Sequence, residues 1–275
     1  MSPAPLSGPD AKPAARSRDA RRLAAAVATA ALLWFLMFSP WTGGRLNFWL
    51  AMSASAVILT ALALRFAPRH PDPAKPSCQP AKPSCQSAKP SCQPAKPSCQ
   101  PAKPSCQPAK PPSCHSEPAK QVKESALQFL AGTALAFALW GIFWIGDKAA
   151  AWMFGFARPE VDAVYAMKEG SPAWMIALLL LVLIGPAEEF FWRGYVQRTL
   201  GRILPGRRAA DAAFLLTTAV YALVHIWSFN FMLVMAALVA GAVWGLIYRL
   251  RPQLLPALIL SHALWDALVF VLLPI

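Results

Sequence analysis

Seven stretches of the chain are apolar and free of strong charge, near residues 23 to 38, 46 to 64, 126 to 146, 173 to 187, 212 to 227, 229 to 248 and 254 to 273. A helix needs about 20 residues to cross roughly 30 Å of hydrocarbon, so most of these stretches suffice and the first is short. The pattern predicts an all-α fold, a polytopic transmembrane helical bundle of about seven spans, between six and eight. Beyond the fourth stretch, Phe190, Phe191, Trp192, Tyr195 and Val196 continue the apolar pattern, which extends that helix to about Gln197 and embeds Glu188 and Glu189. Composition agrees: 56% of residues are hydrophobic and 14% charged, whereas an ordinary soluble domain is about 45–50% apolar.

Net charge is +13, which in a soluble protein would point to nucleic acid. Its distribution points instead to membrane topology, and no nucleic-acid partner is expected. With the N-terminus in the cytoplasm, only Arg45, Lys148, Arg158 and Lys168 of the 26 Lys and Arg fall outside cytoplasmic segments. Lys and Arg resist translocation, so this bias fixes the orientation. The first apolar run follows Arg16, Arg18, Arg21 and Arg22. It leads through Pro40, Trp41 and Arg45 into a second run without a small-x-small cleavage site, so it reads as a retained anchor rather than a signal peptide.

Residues 73 to 115 repeat the unit PAKPSCQ six times with small variations. Two prolines per unit forbid a helix and remove backbone donors, which predicts a Pro-rich, extended, disordered linker. All six cysteines lie in the repeat, one per unit. Their spacing lacks the paired pattern of a zinc module, and on the cytoplasmic side the thiols stay reduced. No cysteine falls in the apolar spans, which excludes a thiol nucleophile there.

Ionisable residues inside spans carry an insertion cost of at least about 2.5–3.5 kcal/mol and mark functional sites by default. They concentrate on three spans. In the fourth, Glu189 and Arg193 stand four residues apart on one helix face and form a supporting ion pair. Glu188 is rotated about 100° from Glu189 and left free for chemistry. Gly185 and Pro186 weaken the helix just before the pair. The fifth span carries Tyr221 and His225, and the seventh His262 and Asp266, again at i, i+4. A carboxylate one turn from a histidine can fix its tautomer, or the two can hold a water. Tyr221 by itself reads as packing. At about 1.5 Å per residue, Glu188, His225, His262 and Asp266 fall in one layer near the middle of the bilayer.

The residues leave two mechanisms open. Either a glutamate in low dielectric acts as a metal-free general base, or Glu188, His225 and His262 hold Zn²⁺, which activates its bound water. Adjacent acids with an arginine favour the first, so no cofactor is expected.

Three signals in order, E-E-x-x-x-R at Glu188 to Arg193, aromatic-x-x-x-His at Tyr221 to His225 and His-x-x-x-Asp at His262 to Asp266, resemble the CPBP family of intramembrane proteases. That family, also called Abi, groups CAAX prenyl endopeptidases with bacteriocin-processing and immunity proteins. The resemblance covers about residues 126 to 273. It implies that Glu188 activates a water for attack on a peptide carbonyl, that His225 and His262 with Asp266 position the water and stabilise the oxyanion, and that Glu189 with Arg193 supports them. Tyr221 stands where the family usually has Phe, and Asp266 where it often has Asn.

The expected organisation is a basic cytoplasmic tail at 1–22, two transmembrane helices at 23–66, the heptapeptide-repeat linker at 67–124 and a protease-like domain at 125–275. The reading is an intramembrane endopeptidase acting on a protein or peptide at the bilayer. Two other readings stay open: a non-catalytic binding or immunity protein using the same cluster, and a proton-coupled transporter, against which stands the lack of an inverted repeat. The Ala- and Arg-rich character suggests a bacterial inner-membrane protein with the N-terminus cytoplasmic. Bacteriocin maturation, self-immunity or trimming of sorting tails would then fit better than prenylated substrates.

Overall fold

A computed structural model of the chain describes residues 13–67 and 118–275. Among the described residues, contacts group 13–67 with 124–275 in one compact unit. The Cys-bearing repeat and most of the expected linker lie outside the described residues.

Seven described helices are long and apolar enough to cross a membrane, as the hydropathy pattern predicted. They are α1 (Ala15–Phe38), α2 (Phe48–Phe66), α3 (Val122–Met153), α5 (Ala173–Ile203), α6 (Ala209–Ser228), α7 (Phe231–Leu250) and α8 (Pro252–Leu272). A short helix that the apolar pattern did not announce, α4 (Ala157–Ala166), links α3 to α5. Side-chain caps start two of the spans. The Asn47 side chain accepts from the Leu50 N–H at 2.9 Å ahead of α2, and Asn230 accepts from Leu233 at 2.8 Å ahead of α7, each satisfying a backbone donor the helix cannot. The tight link from α6 to α7 passes through Phe229, whose φ of 51° is left-handed.

Three apolar clusters hold the bundle, the smallest packing Trp49 of α2 against Ile176, Leu180 and Ile184 of α5. A second packs Trp34 of α1 and Leu59 of α2 against Phe191, Trp192 and Tyr195 of α5 and Tyr221 of α6. The third joins Leu139 of α3, Trp244 of α7 and Leu258 and Trp265 of α8. Large apolar side chains such as Leu50, Val182 and Trp174 stay exposed, as expected where lipid is the solvent. Trp41, Trp152 and Trp174 stand exposed at the end of α1, the end of α3 and the start of α5. That is the placement of an interfacial aromatic belt.

The helix α5 is not uniform. It widens into π-helical turns at Leu180–Ile184 and Phe190–Gln197, with Gly185–Glu189 α-helical between them. Pro186 has no N–H to donate and its ring crowds the carbonyl four residues back, so a wider turn on its N-terminal side relieves both problems. Glu188 and Glu189 therefore sit between two wide turns, the kind of irregularity common at functional sites.

The short helix α4 is tied on three sides. Asp147 of α3 accepts from Arg158 Nη1 at 2.6 Å. Glu160 accepts from the Met232 backbone N–H at 2.8 Å through its carboxylate and from Asn230 Nδ2 at 2.7 Å through its carbonyl. Tyr165 donates to the Val269 carbonyl at 3.0 Å.

Candidate active site

The site begins with close helix packing. A Cβ on Gly185 of α5 would lie 2.7 Å from Ala263 Cα, so only glycine allows α5 and α8 to approach this closely. The same device recurs on α7, where a Cβ on Gly241 would meet the Tyr221 ring at 2.9 Å and one on Gly245 the Phe214 ring at 3.0 Å. At those two glycines the α7 backbone is open to side chains from α5. Arg193 Nη2 donates to the Gly241 carbonyl at 3.0 Å and Gln197 Nε2 to the Gly245 carbonyl at 2.8 Å. The G-x-x-x-G spacing of Gly241 and Gly245 was present in the sequence and signals such a contact.

The sequence-derived residues converge on this junction. Arg193, fully buried, pairs with Glu189 at 3.0 Å, the contact that the i, i+4 spacing predicted. Its guanidinium also lies over the rings of Tyr221 and Trp244, at 5.0 and 5.6 Å. Glu189 reaches further than its sequence position suggested, because the same Oε2 faces His262 Nδ1 at 3.1 Å. A carboxylate only accepts, so Nδ1 carries the proton in this contact. The His262 ring stacks on Trp244 at 4.0 Å between centroids, and its Nε2 stands 3.6 Å from Asp266 Oδ2. The supporting pair and His262 thus form one network.

Glu188 points away from that network into the site. Its Oε2 accepts from the Tyr221 hydroxyl at 3.1 Å. Sequence reasoning treated Tyr221 as packing, yet its hydroxyl is the one group in hydrogen-bond contact with the Glu188 side chain among the described residues. His225 sits one turn beyond, where α6 tightens to a 3-10 turn over Val224–Ser228. Its Nδ1 meets the Tyr221 carbonyl at 2.8 Å and its Nε2 accepts from Trp34 Nε1 at 3.0 Å.

A cavity of about 430 Å³ opens over these groups. Glu188, Tyr221, His225, His262 and Asp266 line it, and nearly all the rest of its wall is apolar, contributed by α1 to α5, α7 and α8. Val161, Val164 and Tyr165 of α4 line it as well. The four residues read as one layer, Glu188, His225, His262 and Asp266, share this cavity, while Glu189 and Arg193 stand behind it.

The zinc alternative named Glu188, His225 and His262 as ligands. In this arrangement His225 has no lone pair to offer, since Nδ1–H bonds a carbonyl and Nε2 takes the indole N–H. Among the described residues, no group of three or more His, Cys, Asp or Glu is placed to hold a metal ion. The donor set does not fit a zinc site.

No curated protein and no solved structure matches the chain. Residues 170–268 match a family model described as type II CAAX prenyl endopeptidase, Rce1-like. The match spans all three motifs and ends just after Asp266, while α1 to α4 lie outside it. The family of that model, the Rce1-like CAAX prenyl endopeptidases, agrees with the one that those motifs resemble.

Proposed function

We propose that this chain is an intramembrane endopeptidase in which Glu188 is the general base, without a metal ion. An endopeptidase family and seven helices able to span a bilayer support membrane protease activity. The finer reading is carried by one observation. Glu188, Tyr221, His262 and Asp266, drawn from three helices, line one apolar cavity, where water is scarce and the few polar groups act in low dielectric.

In this reading Glu188 takes a proton from a water as its oxygen bonds the peptide carbonyl carbon. The Tyr221 hydroxyl keeps the carboxylate turned into the cavity. His262, fixed by Glu189 through Nδ1 and by Trp244 through its ring, presents its Nε2 edge beside Asp266 to position the water and the developing oxyanion. The C–N bond then breaks, and Glu188 returns its proton to the leaving amine. Arg193 offsets the buried charge of Glu189 and so supports His262. The substrate is a membrane-associated peptide segment whose apolar side chains fit the cavity wall. The protein resides in a bacterial inner membrane with its N-terminus cytoplasmic.

The test uses the full-length chain in lipid nanodiscs with two fluorogenic reporters, a farnesylated C-terminal tetrapeptide and a single-span peptide, with products read by mass spectrometry. Cleavage of one reporter at a single bond, lost in Glu188→Ala, is the expected result. Cleavage that persists at wild-type rate in Glu188→Ala would overturn the assignment.

A further inference from the structure

The first two helices lie outside the matched segment, yet α1 reaches the site. Trp34 is 1% exposed, and its indole N–H donates to His225 Nε2 at 3.0 Å. Its ring meets His225 edge-on at 5.8 Å and Trp192 of α5 edge-on at 6.4 Å. Phe38, one turn further along α1, tilts against the same imidazole at 5.7 Å, and Tyr221 meets it edge-on at 5.3 Å. His225 is boxed by three aromatic rings, two of them from α1.

We infer that Trp34 is a positioning residue of the site, whose indole N–H caps His225 Nε2 and locks the ring in its Nδ1–H form against the Tyr221 carbonyl. An indole N–H only donates, so the nitrogen facing it must hold a lone pair. The other nitrogen then carries the proton and spends it on the Tyr221 carbonyl, at the point where α6 leaves α-helical geometry. The backbone that bears Tyr221 is thereby tied to α1, and the Tyr221 hydroxyl is the group that holds Glu188. The chain of contacts runs from Trp34 through His225 and Tyr221 to the carboxylate. It makes α1 part of the site rather than an accessory anchor.

The inference rests on the proposed function only for its kinetic consequence. Two substitutions remove the N–H and keep an aromatic ring: Trp34→Phe, and site-specific replacement of Trp34 by 3-benzothienylalanine, which preserves the bicyclic shape should Phe fail to fold. In full-length protein labelled with ¹⁵N-histidine in nanodiscs, the four histidines give a sparse spectrum, and His225 is identified by its loss in His225→Gln. The Nε2 resonance of His225 should shift to that of an unbonded lone pair in either variant, with His262 unchanged. An identical His225 signal in wild type and variants overturns the cap. With a reporter cleaved by the wild type, kcat should fall roughly tenfold at unchanged KM, the scale of one lost hydrogen bond. An unchanged kcat, or a change confined to KM, overturns the positioning role. The spectrum needs no substrate, so failure of the cap is distinguishable from failure of the peptidase reading.

Discussion

Replacing Arg193 with Met tests whether the buried pair behind the cavity holds the site together. In the native protein Arg193 Nη1 meets Glu189 at 3.0 Å and Nη2 meets the Gly241 carbonyl at 3.0 Å, with both side chains almost entirely buried. Met fills similar space and removes the charge. Breaking a buried pair by deleting one partner costs about 3–5 kcal/mol, because it strands the other charge. Loss of the donor to Gly241 adds about 1 kcal/mol, and loss of the ring contacts with Tyr221 and Trp244 somewhat less. The expected destabilisation is therefore at least about 4 kcal/mol, a large part of the roughly 5–15 kcal/mol that holds a typical protein folded. The double variant Glu189→Gln/Arg193→Met separates the contributions. Gln is neutral and keeps an oxygen to accept from His262 Nδ1, so the stranded charge disappears while the local contact stays. It should recover about half of the loss or more. The assay is unfolding by SDS titration in mixed micelles, followed by tryptophan fluorescence. A loss below about 1 kcal/mol for Arg193→Met, or no recovery in the double variant, would refute the electrostatic reasoning.

Three other outcomes follow from the geometry. Tyr221→Phe removes the hydroxyl that holds Glu188 and should lower kcat about 10- to 100-fold, the scale of a hydrogen bond to a charged group, with the unfolding midpoint nearly unchanged. Equal kcat would show that the hydroxyl has no part in catalysis. Gly185→Val places methyl groups where Ala263 backbone atoms already stand within 3 Å of a Cβ, so it should separate α5 from α8 and abolish cleavage while the protein still inserts in the membrane; retained activity in nanodiscs would contradict the packing argument. Treatment of the purified protein with 1,10-phenanthroline should leave cleavage within twofold, since His225 has no free nitrogen for a metal. Inhibition reversed by added Zn²⁺ would contradict that reading.

The spans were legible because a bilayer forces long uninterrupted apolar runs, and the continuation of α5 past Glu188 could be read from the aromatic residues that follow. The starts of α1 and α3 could not. Helix continues there into residues such as Arg16 and Glu124 that carry charge outside the apolar core. The helix α4 was missed because its ten residues have no apolar run, and its place depends on contacts with Asp147, Asn230 and Val269. Within the site, contacts four residues apart were readable, as for Glu189 with Arg193. Contacts between helices were not. The link between Glu189 and His262 joins positions 73 residues apart, and that between Trp34 and His225 joins positions 191 apart. A tryptophan in an apolar span looks the same in sequence whether its N–H faces lipid or a histidine. The π turns around Glu188 were hinted at by Pro186, but a proline also kinks helices in other ways, so its local outcome depended on packing.

The central claim is that Glu188 moves the proton, and the isosteric exchange Glu188→Gln addresses it without disturbing shape. In nanodiscs, on a reporter cleaved by the wild type, Glu188→Gln should reduce kcat by at least about 10³-fold, within the range a general base contributes. Its unfolding midpoint should match the wild type, because Gln still accepts from the Tyr221 hydroxyl. A folded Glu188→Gln protein that cleaves within tenfold of the wild-type rate would contradict the claim.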